Sequence, residues 1–422
     1  MANSTTLVWC FATVAAGCGG GGAAKSDAPA PPSDSPAVDA APTLSQLCGP
    51  LDSGSEWQRC SANPLVTGMR PSSDGRTELT EADPTVMFDA DDQLWKAWWS
   101  VVITSDCMAI GTASDDHEVD IKYAESSDGI HWSIQAEPVM RSHGATTAWD
   151  YTTVETPTVV KDNSARAEQR YAMIYSGGNN ADLMILGQTG WQLGLAYSSD
   201  GKSFTRLADS PYASAATPFQ DVTGLVLLAS DAFPSLTNLG PGIVADPELR
   251  KRGDTWHLWF SSLAMSNDGV TALAYGVSHA TSTDLVHWTM TPTNPVIVGA
   301  ATPAVYDDGT SYELWFHNDS DADKAMVPSV LYPTLGVWHV TSTDGVTWTA
   351  PAATRDFMWD SQPTYETYGQ LPGVAIARDP TGPLRMYYSA WGSVPAPTGS
   401  CVYTQTGTVP GTDNLLLAVR VE

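Results

Sequence analysis

IKYAESSDGIHW (121–132), LGLAYSSDGKSF (193–204), YGVSHATSTDLVHW (275–288) and LGVWHVTSTDGVTW (335–348) are four copies of one unit. Each has a small or β-branched run, then Ser-x-Asp-Gly or Ser-x-Asp-Leu, then a closing aromatic. Those aromatics, Trp132, Phe204, Trp288 and Trp348, lie 72, 84 and 60 residues apart. A strand, a tight Asp-Gly-type turn and a second strand make a hairpin. A second unit precedes each hairpin: x-Pro, an apolar strand, a polar turn and an aromatic-rich strand. Its copies are 82–100, 154–176, 245–261, 301–317 and 371–389, with prolines 84, 157, 247, 303 and 372. Proline at a strand start is tolerated because its missing N–H can lie outside the ladder.

Five repeats of four antiparallel strands predict an all-β, five-bladed β-propeller. No long segment carries a clean 3.6-residue period. The fifth blade ends at NLLLAVRVE (414–422), one strand short. DSGSEWQRCSANPLV (52–66) resembles DLVHWTMTPTNPVIV (284–298), with Trp57 in the aromatic position. The N-terminal segment is therefore expected to supply the last blade's outer strand and close the ring.

Composition agrees. Of 422 residues, 20 are Lys or Arg and 47 Asp or Glu, a net charge of −27 that argues against nucleic acid and anionic membranes as partners. Residues 7–16 (LVWCFATVAA) form an apolar run too short to span a bilayer, as in a signal peptide. It ends at Gly17-Cys18, similar to a bacterial lipobox, which predicts residues 1–18 as the signal and Cys18 as a lipidation site. Ordinary secretion with cleavage nearby is the alternative. Residues 19–45, rich in Gly, Ala, Ser, Asp and Pro, predict a disordered linker, leaving 46–422 as one propeller. The expectation is thus an exported protein, a cell-envelope lipoprotein or an extracellular one, and a monomer. Cys48, Cys60, Cys107 and Cys401 remain for disulfides; Cys48–Cys60 is expected locally and Cys107–Cys401 between neighbouring loops.

The STDLVHW string and the Asp-Pro strand starts resemble the five-bladed glycoside hydrolases of families 43, 32 and 68, which include arabinanases, β-xylosidases and invertases. The turn also looks like the sialidase Asp-box, which has one more residue between Asp and Gly and occurs in propellers of more blades. The glycosidase resemblance spans about residues 50–422. It implies hydrolysis of an oligo- or polysaccharide by carboxylates at the starts of the innermost strands, without a cofactor. Glycosidic hydrolysis needs one carboxylic acid and a second carboxylate as base or nucleophile.

Aligned on their prolines, the strand starts offer Asp83, Glu155 and Asp246, with Glu248 two residues further along. The resemblance implies Asp83 as base or nucleophile and Asp246 as the residue that tunes the acid. Its acid, a Glu two before the blade-four proline, is absent: that start reads Ala301-Thr302-Pro303. Glu155, two before Pro157, is the replacement candidate; a loop acid or a non-catalytic carbohydrate-binding propeller are the alternatives. His317, where other second strands end in Ser, and Trp391, assigned to a loop within 390–413, are candidate sugar contacts. Asp319, Asp321 and Asp323 alternate as calcium ligands can, but without the Gly and distal Glu of an EF-hand; a solvated acidic loop explains them equally.

Overall fold

The computed structural model describes residues 42–421 apart from 55, 80, 105–117, 143–144, 180–189, 216, 218, 238, 268–270, 319–334, 368, 379–381 and 394–411. These residues are nearly all β. Their one α-helix, Leu44–Cys48, is closed by a capping box of Thr43 and Gln46, so the expected linker gives way to structure by residue 44. The Cys48–Cys60 disulfide is present.

One antiparallel pattern recurs. Leu239–Arg252, Thr255–Ser266, Ala272–Ser282 and Thr289–Met290 are neighbours in that order. Ala301–Asp307, Tyr312–His317, Gly336–Ser342 and Phe357–Met358 repeat it. The same order runs through Ala82–Asp89, Leu94–Thr104, Glu118–Ser126 and Ser133–Ile134, and through Thr153–Lys161, Tyr171–Gly178, Gln192–Ser198 and Thr205–Arg206. A single parallel bridge, Val119 to Thr153, joins those two into one sheet. Gln370–Arg378 pairs with Leu384–Gly392, which pairs with Thr412–Arg420.

The N-terminal segment pairs with Thr412–Arg420, Gln58 opposite Val419 and Arg59 opposite Ala418. The likeness of 52–66 to 284–298 has a physical basis. The Asn63 amide donates to Leu417 O at 2.9 Å and accepts from Leu417 N at 2.8 Å. Asn294 does the same to His279, at 3.1 and 2.9 Å.

The repeated turns are held by their own side chains. In each, the Ser hydroxyl accepts from the N–H three residues on: Gly129, Gly201, Leu285 and Gly345. Those four residues have positive φ, which Gly adopts freely. Two of their carbonyls also key one four-stranded unit to the next, since Trp98 donates to Gly201 O and Trp259 to Gly345 O, both at 2.8 Å. Leu285, the exception, packs its side chain into the cluster that holds Ile174 and Phe260.

The five proline-bearing strands meet at their starts. Ala82–Asp89 lies against Thr153–Lys161 and Gln370–Arg378. Leu239–Arg252 lies against Thr153–Lys161 and Ala301–Asp307, and Ala301–Asp307 against Gln370–Arg378.

Candidate active site

Each of four strand starts carries the same backbone irregularity. Ala82 faces Ser100 and Thr85 faces Trp98, so Asp83 and Pro84 together oppose one residue. The pairs Thr156-Pro157, Asp246-Pro247 and Thr302-Pro303 do likewise. The following proline disfavours right-handed helical φ/ψ, and Asp83, Thr156, Asp246 and Thr302 have φ of 51°, 48°, 51° and 49°. Non-glycine residues rarely sit there, and bulges of this kind re-aim side chains beside functional sites. In the fifth strand three residues, 371–373, oppose one, and Gly373 carries the positive φ of 98°. The proline alignment is therefore off by one residue at this strand.

These bulges line one cleft of ≈ 320 Å³, including its open mouth, formed by Asp83, Thr156, Asp246, Glu248, Thr302, Gly373 and the flanking prolines. Asp83, Glu155 and Asp246 are half-buried.

A chain of hydroxyls ties the bulges together. Ser100 Oγ accepts from Thr156 N at 2.8 Å, Ser176 Oγ from Asp246 N at 3.1 Å and Ser261 Oγ from Thr302 N at 2.7 Å. Each serine lies within a second strand and holds the bulge of the next proline-bearing strand. Ser176 also hydrogen-bonds the bulge hydroxyl of Thr156, and Ser100 and Ser261 stand opposite Ala82 and Ala245, next to Asp83 and Asp246 in sequence. The recurrence of Ser at 100, 176 and 261 was the sequence signal for this chain, but its partners lie 41 to 70 residues away.

The carboxylates act on one another. Burial pushes all three upward. Asp83 is raised well above the usual range, first by burial, then by the charges of Asp246 and Glu155, against the Ser100 hydroxyl. Glu155 is raised to about 7 by burial and Asp246. Trp191 and Thr153 are near enough to oppose that rise, yet Glu155 Oε1, Trp191 Nε1 and Thr153 Oγ1 are buried without a hydrogen-bond partner among the described residues. Burial lifts Asp246 to about 6, opposed by Ser261. This set retains a proton near neutrality.

Glu248 lines the same cleft but is paired with Arg250, and burial raises it to about 7. His317 is buried rather than a surface group. Thr302 Oγ1 donates to Ala301 O at 2.8 Å, so it accepts from His317 Nδ1–H at 2.9 Å, which leaves Nε2 unprotonated. Burial holds this imidazole neutral, down to about 3. Trp391 does not lie in a loop. It belongs to the strand Leu384–Gly392, opposite Asp413, and is fully buried, so core packing replaces the expected sugar contact.

Two buried carboxylates close to Asp83 escaped the sequence reading. Glu81, beside the first bulge, is held by Arg70 at 2.6 Å and is still raised to about 7 by burial. Asp413 is raised well above the usual range by burial and by Asp83 and Glu81. Cys18, Cys107, Cys401, Asp319, Asp321 and Asp323 lie outside the described residues.

No family model and no curated protein matches the sequence. Solved structures match the fold. One is described as the GH130 family of mannoside phosphorylases containing glycoside hydrolases that target β-1,2 mannosidic linkages in Candida mannan. It has 15% identity and a TM-score of 0.54, covering 87% of this chain and 94% of that one. A family 117 glycoside hydrolase produced by the marine bacterium Zobellia galactanivorans matches at 13% identity and a TM-score of 0.52, over 86% and 89%. A glycosyl hydrolase from Bacteroides ovatus matches at 12% and 0.51, over 87% and 94%. These glycosidases belong to the five-bladed superfamily that the sequence resembles. At such identities the likeness is one of fold.

Proposed function

We propose that this chain is a glycoside hydrolase whose sheets form a five-bladed propeller closed by the N-terminal strand, with the active site in the cleft of Asp83 and Asp246. The observation that carries this reading is that Asp83 and Asp246 line one cleft at neighbouring strand starts, with Glu155 directly before Thr156, which lines it too. Such a set can hold one proton for the leaving oxygen and still offer an ionised carboxylate. In this reading Glu155 is the acid, Asp83 the base or nucleophile, and Asp246 orients the substrate and tunes Glu155. Glu248 borders the substrate. A proton on Glu155 removes one of the two charges that raise Asp83, so the two roles support each other.

The ring is supported by the neighbour relations of the proline-bearing strands and by the pairing of Gln58–Arg59 with Thr412–Arg420. The substrate class is a glycan, and mannosides join arabinan, xylan and fructan as the first to try. Export through residues 1–18, with Cys18 as a lipid anchor, would bring the protein to such polymers outside the cytoplasm.

A second reading, a carbohydrate-binding propeller without turnover, is favoured by Thr302, at the strand start where the resemblance implies the acid, which hydrogen-bonds His317 of the facing strand instead of offering a carboxylate. One experiment separates them. Sugar release from a panel of glycans and aryl-glycosides is expected for the natural chain and lost in Asp83→Asn, while binding persists. Glu155→Gln should slow poor leaving groups most, since activated aryl-glycosides need less protonation. Binding without release by the natural chain would favour the second reading; wild-type turnover of a natural glycan by Glu155→Gln would place the acid elsewhere.

A further inference from the structure

The walls of the cleft accept hydrogen bonds and offer few. Asp83, Asp246 and Glu248 line it, and Glu155 directly precedes Thr156, which lines it too. Among the described residues no Lys or Arg lines it. Arg250, two residues beyond Glu248, is engaged by the Glu248 carboxylate and by Leu249 O at 2.8 Å. Arg70 is held by Glu78 at 3.1 Å and by Glu81, two residues before Asp83, at 2.6 Å.

The backbone donors are engaged as well. Successive free N–H groups at a positive-φ residue can cradle an anion. Here the N–H groups of Thr156, Asp246 and Thr302 go to serine oxygens. The next residue is in each case a proline, which has no N–H. The Thr302 hydroxyl gives its proton to Ala301 O at 2.8 Å and accepts from His317. The hydroxyls of Thr156 and Ser176 bond each other, which leaves that pair one neutral donor. The sequence continues the pattern: segments 105–117, 180–189, 319–334 and 394–411, each between a second and a third strand, contain Lys324 as their one Lys or Arg against seven Asp.

A ligand that suits such walls donates hydrogen bonds, as sugar hydroxyls do. A carboxylate, sulfate or phosphate dianion is an acceptor, and would be buried against carboxylates with no cation to compensate it. We propose that the cleft takes an uncharged, hydroxyl-bearing sugar and refuses anionic ones, and that water rather than inorganic phosphate receives the glycosyl group. This specificity rests on the glycosidase reading and narrows it. In the net reaction the bond from the anomeric carbon to the leaving oxygen breaks, and that oxygen takes the proton of the acid. Water supplies its oxygen to the anomeric carbon and a proton to the base carboxylate, which returns it to the acid through solvent.

Calorimetry and product analysis at neutral pH test this. Inorganic phosphate is titrated into the natural chain. Binding of 4-nitrophenyl glucuronide and galacturonide is compared with that of their methyl esters, which keep the shape and remove the charge. The expected results are no saturable phosphate binding in the millimolar range, free reducing sugar as the product even in phosphate buffer, and esters bound about a hundredfold more tightly than the uronides. Asp246→Asn should narrow that gap about tenfold, since it removes one repelling charge. A sugar 1-phosphate as product, a uronide that binds as well as its ester, or saturable phosphate binding that Asp246→Asn alters overturns the proposal. A natural chain that releases no sugar from any glycan fails the glycosidase reading. The phosphate titration needs no sugar and still decides whether the cleft refuses anions.

Discussion

Gly373 packs so closely on Asp83 that a Cβ built on it would lie 2.6 Å from Oδ1 and 3.1 Å from Cα of the aspartate. The backbone of one strand is thus the wall against which a carboxylate of another rests. Its φ of 98° adds a second demand for glycine. Gly373→Ala is expected to displace the Asp83 side chain and abolish turnover. Stability should also fall, by about 1–3 kcal/mol for a strained backbone. A variant with natural kcat would show that Asp83 need not rest where it does.

The junction between chain ends rests on a buried ion pair. Arg59 Nε and a terminal nitrogen donate to the two Glu366 oxygens at 2.8 and 2.6 Å, and Glu366 is fully buried. Nearby, Trp57 Nε1 donates to Asp356 at 2.7 Å. Arg59→Met should destabilise by about 3 kcal/mol, because a buried carboxylate loses its cation. Arg59→Met with Glu366→Gln should recover much of that loss. Deleting 46–70 should cost far more, by exposing the edge of Thr412–Arg420. A deletion variant that melts like the full chain would refute closure by this segment.

The outer-strand asparagines test the internal repeat in energetic terms. Asn63 and Asn294 each exchange two hydrogen bonds with a strand backbone. Asn294→Ala leaves a buried donor and acceptor of the His279 peptide without that partner, at about 1–3 kcal/mol per group. Asn63→Ala should cost a similar amount, measured by denaturant midpoint. A negligible loss at one site alone would mean that the two segments are not energetic equivalents.

What was legible in the sequence was local. The Ser-x-Asp turns carry their own hydrogen bonds, so their motif survives wherever the turn does. The prolines mark the bulges because proline constrains the residue before it, which is why Asp83, Glu155 and Asp246 were found. In the fifth strand an extra residue moved the positive φ onto Gly373, and alignment by proline missed it. In the fourth repeat the paired outer strand is Phe357–Met358, well beyond the aromatic Trp348. Trp391 was misplaced because Leu384–Gly392 continues past the point where polarity suggested a loop. Glu81 and Asp413 were missed because burial of a carboxylate depends on strands far apart in the chain. The serines were visible as a recurrence, but a latch is defined by its partner.

Those buried carboxylates give a pH dependence whose sign can be worked out. Glu81, Glu155 and Glu248 are raised to about 7 and Asp246 to about 6. The folded state then holds protons that the unfolded chain has released, so their contribution is complete below about pH 4 and is lost as pH rises through about 7. His279 and His317, lowered to about 3, act oppositely and remove stability as pH falls below about 6.5. Between pH 7.5 and 5.5 the carboxylates are more numerous, so Tm is expected to rise on acidification. Asp413 sharpens the test. Both its oxygens are buried without a hydrogen-bond partner among the described residues, next to Asp83 and Glu81. Asp413→Asn removes the charge while nearly keeping the shape, so it should raise Tm at pH 8, change it little at pH 5, and flatten the profile. A variant that loses stability equally at both pH values would mean that the Asp413 carboxylate is paired when ionised.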